Sequence, residues 1–278
     1  MDPNHVSSVI KEYRVTLPMS VEEYRIGQLY GVAEASKNET GRGEGIEVVT
    51  NEPREEVIPG ERSGATMKCQ YTYKIFHLSS KVPTFIRSLA PTGSLEIHEQ
   101  SWNAYPYCRT VYSNHYMKDK FHIVIETRHE PGTGDIDNVH NLPANQLNKR
   151  VVEKIDIVND PCRQVDYKEE EDPTKFKSEK TGRGPIQGSG WEQTQDPVMT
   201  CYKLYHIEFQ WFGLQGKVES VIVKTVRRLL FNFNRQMFCW IDKWHSMTIE
   251  DIRALEDQTK EDLGNMRSNG EVRGMRER

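Results

Sequence analysis

The chain has 278 residues, with 37 Lys and Arg against 41 Asp and Glu and a formal charge of -4. That length admits one large β-rich domain with a sizeable interior, and the net acidity argues against a nucleic-acid partner, because phosphate backbones are held by net basic surfaces. No run of about 18 apolar residues is present to span a bilayer, Met1-Asp2-Pro3-Asn4-His5 lacks the basic and apolar regions of a signal peptide, and five scattered cysteines suit free thiols in a reducing cytosol.

Lys11 to Leu17 reads as a first strand. Ser20 with Glu23 forms a capping box that opens a helix, whose apolar stripe is Val21, Tyr24, Leu29, Val32 and Ala33. Gly41, Gly43 and Gly45 end that helix, and Ile46 to Thr50 predicts a strand. Residues 51–68, carrying many charges, Pro53, Pro59 and Gly60, read as a variable loop. Further strands are predicted over 71–78, 94–99, 107–112, 121–127, 152–158 and 202–211, about eight in all. Asn159 to Trp191 is mostly polar loop with an acidic run from Glu169 to Asp172. Lys217 to Trp244 predicts one unbroken helix, and Thr248 with Asp251 caps a last helix carrying Ile252, Leu255, Leu263 and Met266. The sum is an α+β single domain, a curved and largely antiparallel sheet gripping long helices. Apolar faces on both layers are compatible with a solid core and with a hollow one, and the pattern alone does not decide.

Three features bear on a binding site. Trp102-Asn103-Ala104-Tyr105-Pro106-Tyr107-Cys108-Arg109-Thr110 packs three aromatic rings around a proline that breaks a ladder, which suits either a pocket wall or a kinked sheet edge. Thr72 and Lys74 are two apart on one strand and share a face, where an inward lysine needs a partner. Lys203 interrupts the apolar face Cys201, Tyr205, Ile207, Phe209, as an anion-binding lysine or a snorkelling one would. Catalytic signatures are missing: there is no nucleophile elbow, Walker A loop, His-Glu-x-x-His or Cys-x-x-Cys. The expectation is therefore a binding protein, not an enzyme.

Several segments in order resemble one family. Lys11-Glu12-Tyr13-Arg14-Val15, Gly27-Gln28-Leu29-Tyr30, Lys81-Val82-Pro83-Thr84-Phe85, the segment from Trp102 to Thr110, Glu171-Asp172-Pro173, Thr181-Gly182-Arg183-Gly184-Pro185 and Phe238-Cys239-Trp240-Ile241-Asp242-Lys243-Trp244 are similar to the class I phosphatidylinositol transfer proteins. The resemblance runs from about Ile10 to near the C-terminus. It implies a helix-grip, START-like fold around a lipid cavity that holds one phosphatidylinositol or phosphatidylcholine and exchanges it between membranes. It implies inositol contacts at Thr72, Lys74, Asn103 and Glu256, with Glu256 set against Lys74. Phosphate contacts are implied at Gln28, Thr110, Thr127 and Lys203. Pro83, Phe85, Ile86 and Leu89 match a lipid-exchange loop, Trp211 and Phe212 a membrane-docking pair usually made of two tryptophans, and 264–278 a C-terminal cover. Ser178, in the loop 159–191, matches a regulatory phosphorylation site, although the residues alone read as a solvated serine. Cys108 is read as a reactive thiol near the head group or as a buried inert one. No cofactor or metal is implied beyond the phospholipid ligand. The implied setting is a cytoplasmic monomer, transiently peripheral on membranes, with a lipid kinase as a further partner. Residues 1–9 match nothing. Two rival readings stand beside the carrier: a lipid sensor or presenter that supplies phosphatidylinositol to kinases with little bulk transport, and a lipid-cleaving enzyme.

Overall fold

A computed structural model describes residues 9–78, 81–91, 94–211, 213–269 and 271. Their elements in order are β1 (Val9–Leu17), α1 (Val21–Glu39), β2 (Gly45–Val57), β3 (Thr66–His77), α2 (Thr84–Leu89), β4 (Glu96–Ala104), β5 (Tyr107–Ser113), β6 (Phe121–Pro131), α3 (Ala144–Leu147), β7 (Val151–Ile155), β8 (Met199–Phe209), α4 (Gln215–Cys239), α5 (Ile241–Trp244) and α6 (Ile249–Asn269). One sheet of eight strands runs β2-β3-β4-β5-β6-β8-β1-β7. Every neighbouring pair is antiparallel except β1 with β7. The α+β single-sheet architecture expected from the strand count is present.

The helices cover the inner face. At the start of α1 the Glu23 amide donates to the Ser20 hydroxyl and the Ser20 amide to the Glu23 carboxylate, the reciprocal box that satisfies two orphan donors. The apolar stripe on α1 is the expected one only in part: Tyr24 and Ala33 are buried and Val21 packs on the core, Gly27, Gly31 and Ser36 join the buried side, and Val32 is exposed. Glycines make the seam because bulk comes from the partner: a Cβ on Gly27 would stand 2.9 Å from the Trp244 ring and one on Gly31 3.0 Å from Phe233. Tyr13 donates from β1 to the Val223 carbonyl of α4 at 3.0 Å. Tyr13, Val15, Leu17, Ile207, Phe231, Phe238 and Trp244 form the main core beneath α1, α4 and α5.

Three expectations need correction. Residues 51–57 and 66–68 are not loop: β2 and β3 form a long hairpin at the sheet edge, with Pro53 opposite Gln70. An edge strand tolerates a proline, and its solvated charges hide the apolar alternation that marks a strand. The helix from 217 to 244 is not unbroken, because α4 stops at Cys239 and Trp240 turns the chain at φ -93° and ψ 11° before α5. Buried Trp244 then donates its Nε1 hydrogen back to the Met237 carbonyl at 2.8 Å, a tertiary preference without a proline or glycine to announce it. The segment from Trp102 to Thr110 is not a kinked sheet edge: Pro106, after a cis Tyr105-Pro106 bond, sits in a tight hairpin turn between β4 and β5, both interior to the sheet.

The outer face is closed by loops. Leu142 and Leu147 pack on Ile10 and Leu204, and Ile58 packs on Cys69, Tyr71, Trp102 and Tyr107. Among the described residues no helix is long and apolar enough to cross a membrane.

Candidate functional site

Strand register arranges the inner face in rows, and their character changes along the strands. The first row across β3, β4, β5, β6 and β8 is Gln70, Asn103, Cys108, Thr127 and Lys203. Two residues along come Thr72, Ser101, Thr110, Ile125 and Tyr205, followed by Lys74, Glu99, Tyr112, Ile123 and Ile207. Phe76 and Ile97, then Phe121 and Phe209, complete an apolar end. Polar groups thus fill the first row and the β3–β5 part of the next two, and give way to hydrocarbon at the other end.

Between β6 and α4 the apolar layers are in contact but incompletely buried. Ile123 and Ile125 on central strand β6 stay half-buried, as do Ile222, Val223, Val226 and Leu230 on α4. A residue on a central strand that packs solidly is normally fully buried. At the polar end a cavity of about 470 Å³ lies between α1, α6 and β2–β4, with Arg25, Leu29, Gln70, Asn103, Tyr105 and Arg253 in its wall.

The polar groups there divide into paired and unpaired. Lys74 Nζ lies 3.4 Å from Glu99, and the Tyr112 hydroxyl donates to the same carboxylate at 2.5 Å. Glu256 is therefore not set against Lys74. It accepts from Asn51 at 3.0 Å and pairs with Arg253 one helical turn earlier, and Gln70 donates to Asn51 at 2.7 Å, which ties α6 to the first row. Ser101 and Thr110 share a hydrogen bond at 2.9 Å, and the Cys108 thiol donates to Asn103 at 3.1 Å. Burial pushes that thiol up to about 12 against the pull of Lys203, which favours the inert reading of Cys108. Among the described residues Lys203 has no carboxylate within ion-pair distance, and the buried Gln28 amide nitrogen has no acceptor. An unpaired cation and an unpaired donor on the inner side are what an anionic ligand would satisfy.

The remaining expected residues fall in two places. Phe85 and Ile86 of α2, half-buried, pack with Phe121, Phe209, Trp211 and Leu214 at the apolar end, and Lys217 Nζ lies 4.1 Å from the Phe85 ring centroid. Trp211 stacks on Phe209 with centroids 6.2 Å apart, while Phe212 and residues 272–278 of the C-terminal cover lie outside the described residues. Ser178 is not a solvated serine. It is 1% exposed and donates to Asp242, which also accepts from the backbone of Glu179 and Lys180. A phosphate added there would face the Asp242 carboxylate, so the loop must open first. Sequence reasoning missed Asn51, Gln70, Glu99 and Tyr112. Gln70 was visible as the i-2 neighbour of Thr72, but the others depend on cross-strand register. Among the described residues no group of three or more His, Cys, Asp or Glu could hold a metal ion.

Comparison with known proteins bears on this arrangement. The family described as "Phosphatidylinositol transfer protein" matches residues 8–261. The chain belongs to the phosphatidylinositol transfer protein family. It is 53% identical over 272 residues to the phosphatidylinositol transfer protein beta isoform of Homo sapiens, covering 96% of this chain and 97% of that one. Phosphatidylinositol transfer protein 1 of Dictyostelium discoideum is 48% identical over 256 residues, 92% of this chain and 94% of its own length. Phosphatidylinositol transfer family members thus align with this chain across nearly the whole sheet and its covering helices.

Proposed function

We propose that this protein encloses one phosphatidylinositol or phosphatidylcholine molecule and exchanges it between membranes, with no bond made or broken. The observation that carries the reading is the graded inner face, polar at the Asn103 and Lys203 end and apolar at the Phe121 and Phe209 end. Carrying a phospholipid through water means hiding about thirty methylene groups worth ~0.8 kcal/mol each, a barrier of order 20 kcal/mol that only full enclosure removes. The head group needs the opposite surroundings, a hydrogen-bonding partner for nearly every buried polar atom. Gln28, Thr110, Thr127 and Lys203 are proposed to take the phosphate, and Thr72, Lys74, Asn103 and Glu256 the inositol ring. Within this reading Lys74 orients Glu99 as a shared acceptor for ring hydroxyls, and α6 delivers Glu256 through Asn51. Pro83, Phe85, Ile86 and Leu89 form the exchange segment, and Trp211 with Phe212 touches the bilayer interface. The protein works in the cytoplasm as a monomer and meets membranes transiently.

Mass spectrometry of lipid co-purified with the full chain, together with vesicle-to-vesicle transfer of labelled lipids, tests the proposal. An intact inositol or choline phospholipid at one per chain is expected; cleaved products or an empty protein that moves neither lipid would overturn it. Thr72→Asp or Lys74→Ala should remove inositol-lipid transfer more than choline-lipid transfer. Equal loss of both would refute the inositol assignment.

A further inference from the structure

His129 lies two residues beyond Thr127 on β6 and so shares the inner face with it. Its side chain is 2% exposed and is stacked between Tyr105, with centroids 4.8 Å apart, and Tyr24, at 5.0 Å. Nδ1 stands 2.7 Å from the Pro106 carbonyl oxygen. A carbonyl only accepts, so Nδ1 carries the hydrogen and Nε2 of the neutral ring presents a lone pair. Burial, reinforced by the charge of Lys203, drops the ring to about 3 and keeps it neutral. Among the described residues that Nε2 is buried without any hydrogen-bond partner. A buried polar atom in this condition costs free energy unless something supplies the missing half of the bond.

The neighbourhood narrows what that something is. Gln28, one turn along α1 from Tyr24, leaves a buried donor unpaired on the same helix. The charge of Lys203 is felt at the His129 ring, and Tyr24, packed on that ring, brings α1 with the unused Gln28 donor alongside it. A phosphodiester alone satisfies the cation and the donor and leaves the ring acceptor wanting, because its oxygens carry no hydrogen. A ligand that also brings a hydroxyl satisfies all three.

We infer that His129 is a further head-group-binding residue whose Nε2 accepts a hydrogen bond from a hydroxyl adjacent to the phosphate ester of an inositol lipid. The inference rests on the phosphate assignment made under the proposed function. Inositol carries hydroxyls on both carbons flanking its ester, whereas a choline head group has no hydrogen-bond donor at all. His129 thereby penalises the choline lipid, which leaves the buried lone pair unmatched, and acts as a determinant of lipid preference.

The full chain labelled with ¹⁵N at histidine, loaded by vesicle exchange with phosphatidylinositol or with phosphatidylcholine, reads the bond directly. The Nε2 resonance of His129 should shift toward the hydrogen-bonded range with the inositol lipid and stay at the free lone-pair position with the choline lipid, with Nδ1 unmoved. Identical Nε2 positions in the two complexes would overturn the inference. In transfer assays, His129→Phe keeps an aromatic ring in the stack, and the ratio of inositol-lipid to choline-lipid transfer should fall roughly tenfold; an unchanged ratio counts against it. Lys203→Ala separates the two levels. If it weakens transfer of both lipids while His129→Phe leaves the ratio alone, only this inference fails; if Lys203→Ala changes nothing, the phosphate assignment fails with it.

Discussion

On the outer face of the sheet Glu12 is fully buried and accepts from Arg14 at 2.7 Å and Arg150 at 2.8 Å, and Glu126 holds Arg109 at 3.0 Å. On the inner face Lys203 has no such carboxylate among the described residues, and Gln28 and His129 hold unmatched polar atoms. The same strands make both faces, since alternate residues point to opposite sides. Outside, the buried carboxylates are answered by guanidinium groups, although among the described residues the Tyr107 hydroxyl, the Nε atoms of Arg109, Arg128 and Arg150 and both ring nitrogens of His140 are buried without hydrogen-bond partners; Arg128 rests over the Tyr107 ring, and burial with the charges of Arg128, Arg62 and Arg150 keeps the His140 ring neutral at about 3. Inside, Lys74 and Tyr112 meet Glu99, while among the described residues Lys203 is left without a carboxylate. The difference is one of charge pairing: buried carboxylates tie the outer face to its loops, and the inner face keeps the Lys203 cation uncommitted.

The sharpest way to break this comparison is Glu12→Ala, which removes the buried carboxylate from two guanidinium groups and leaves them the Gly134 and Asp137 oxygens alone; it should cost about 3 kcal/mol in urea unfolding. A loss below 1 kcal/mol would mean that the outer ion pairs are idle. Acid should probe the same division. His129, His140 and His206 titrate at about 3, 3 and 4, burial being the leading cause in each, against about 6.5 in an unfolded chain. Folded-state values below unfolded ones mean that the unfolded chain binds more protons, so stability is full above about pH 6.5 and declines as pH falls toward about 3. Midpoints of urea unfolding followed across that range check the slope, and His140→Gln should flatten it.

On the inner side Lys203→Ala should lower lipid transfer about 10- to 100-fold, the worth of a charged hydrogen bond to an anion, while unfolding free energy moves by less than about 1 kcal/mol. A large stability loss with transfer retained would reverse the roles of the faces. The smallest effect belongs to the exposed pair Lys154 and Asp135, separated by 3.3 Å with side chains 63% and 71% exposed. Lys154→Ala should change stability by less than ~0.5 kcal/mol in the same unfolding measurement.

Much of the inner face was legible because its strands alternate. Cys201, Lys203, Tyr205, Ile207 and Phe209 announce one side of β8 in the primary sequence, and the capping box announces α1. Pairing was not legible. Whether Lys74 meets Glu99 or Glu256 depends on the β3–β4 register, which places Lys74 directly opposite Glu99 and which the residues around Lys74 do not announce. The edge hairpin stayed hidden for the opposite reason: Glu52, Arg54 and Glu56 are solvated on a strand that needs no apolar face. The resemblance to a family is what suggests the binding roles proposed for residues such as Gln28, whose position on a helix face says nothing of its ligand.

A lining that turns from wet to oily along a single axis acts as a compass for whatever enters it. An amphiphile can settle there only one way round, with its hydrocarbon nearest α2 and Trp211 and its charged end farthest from them.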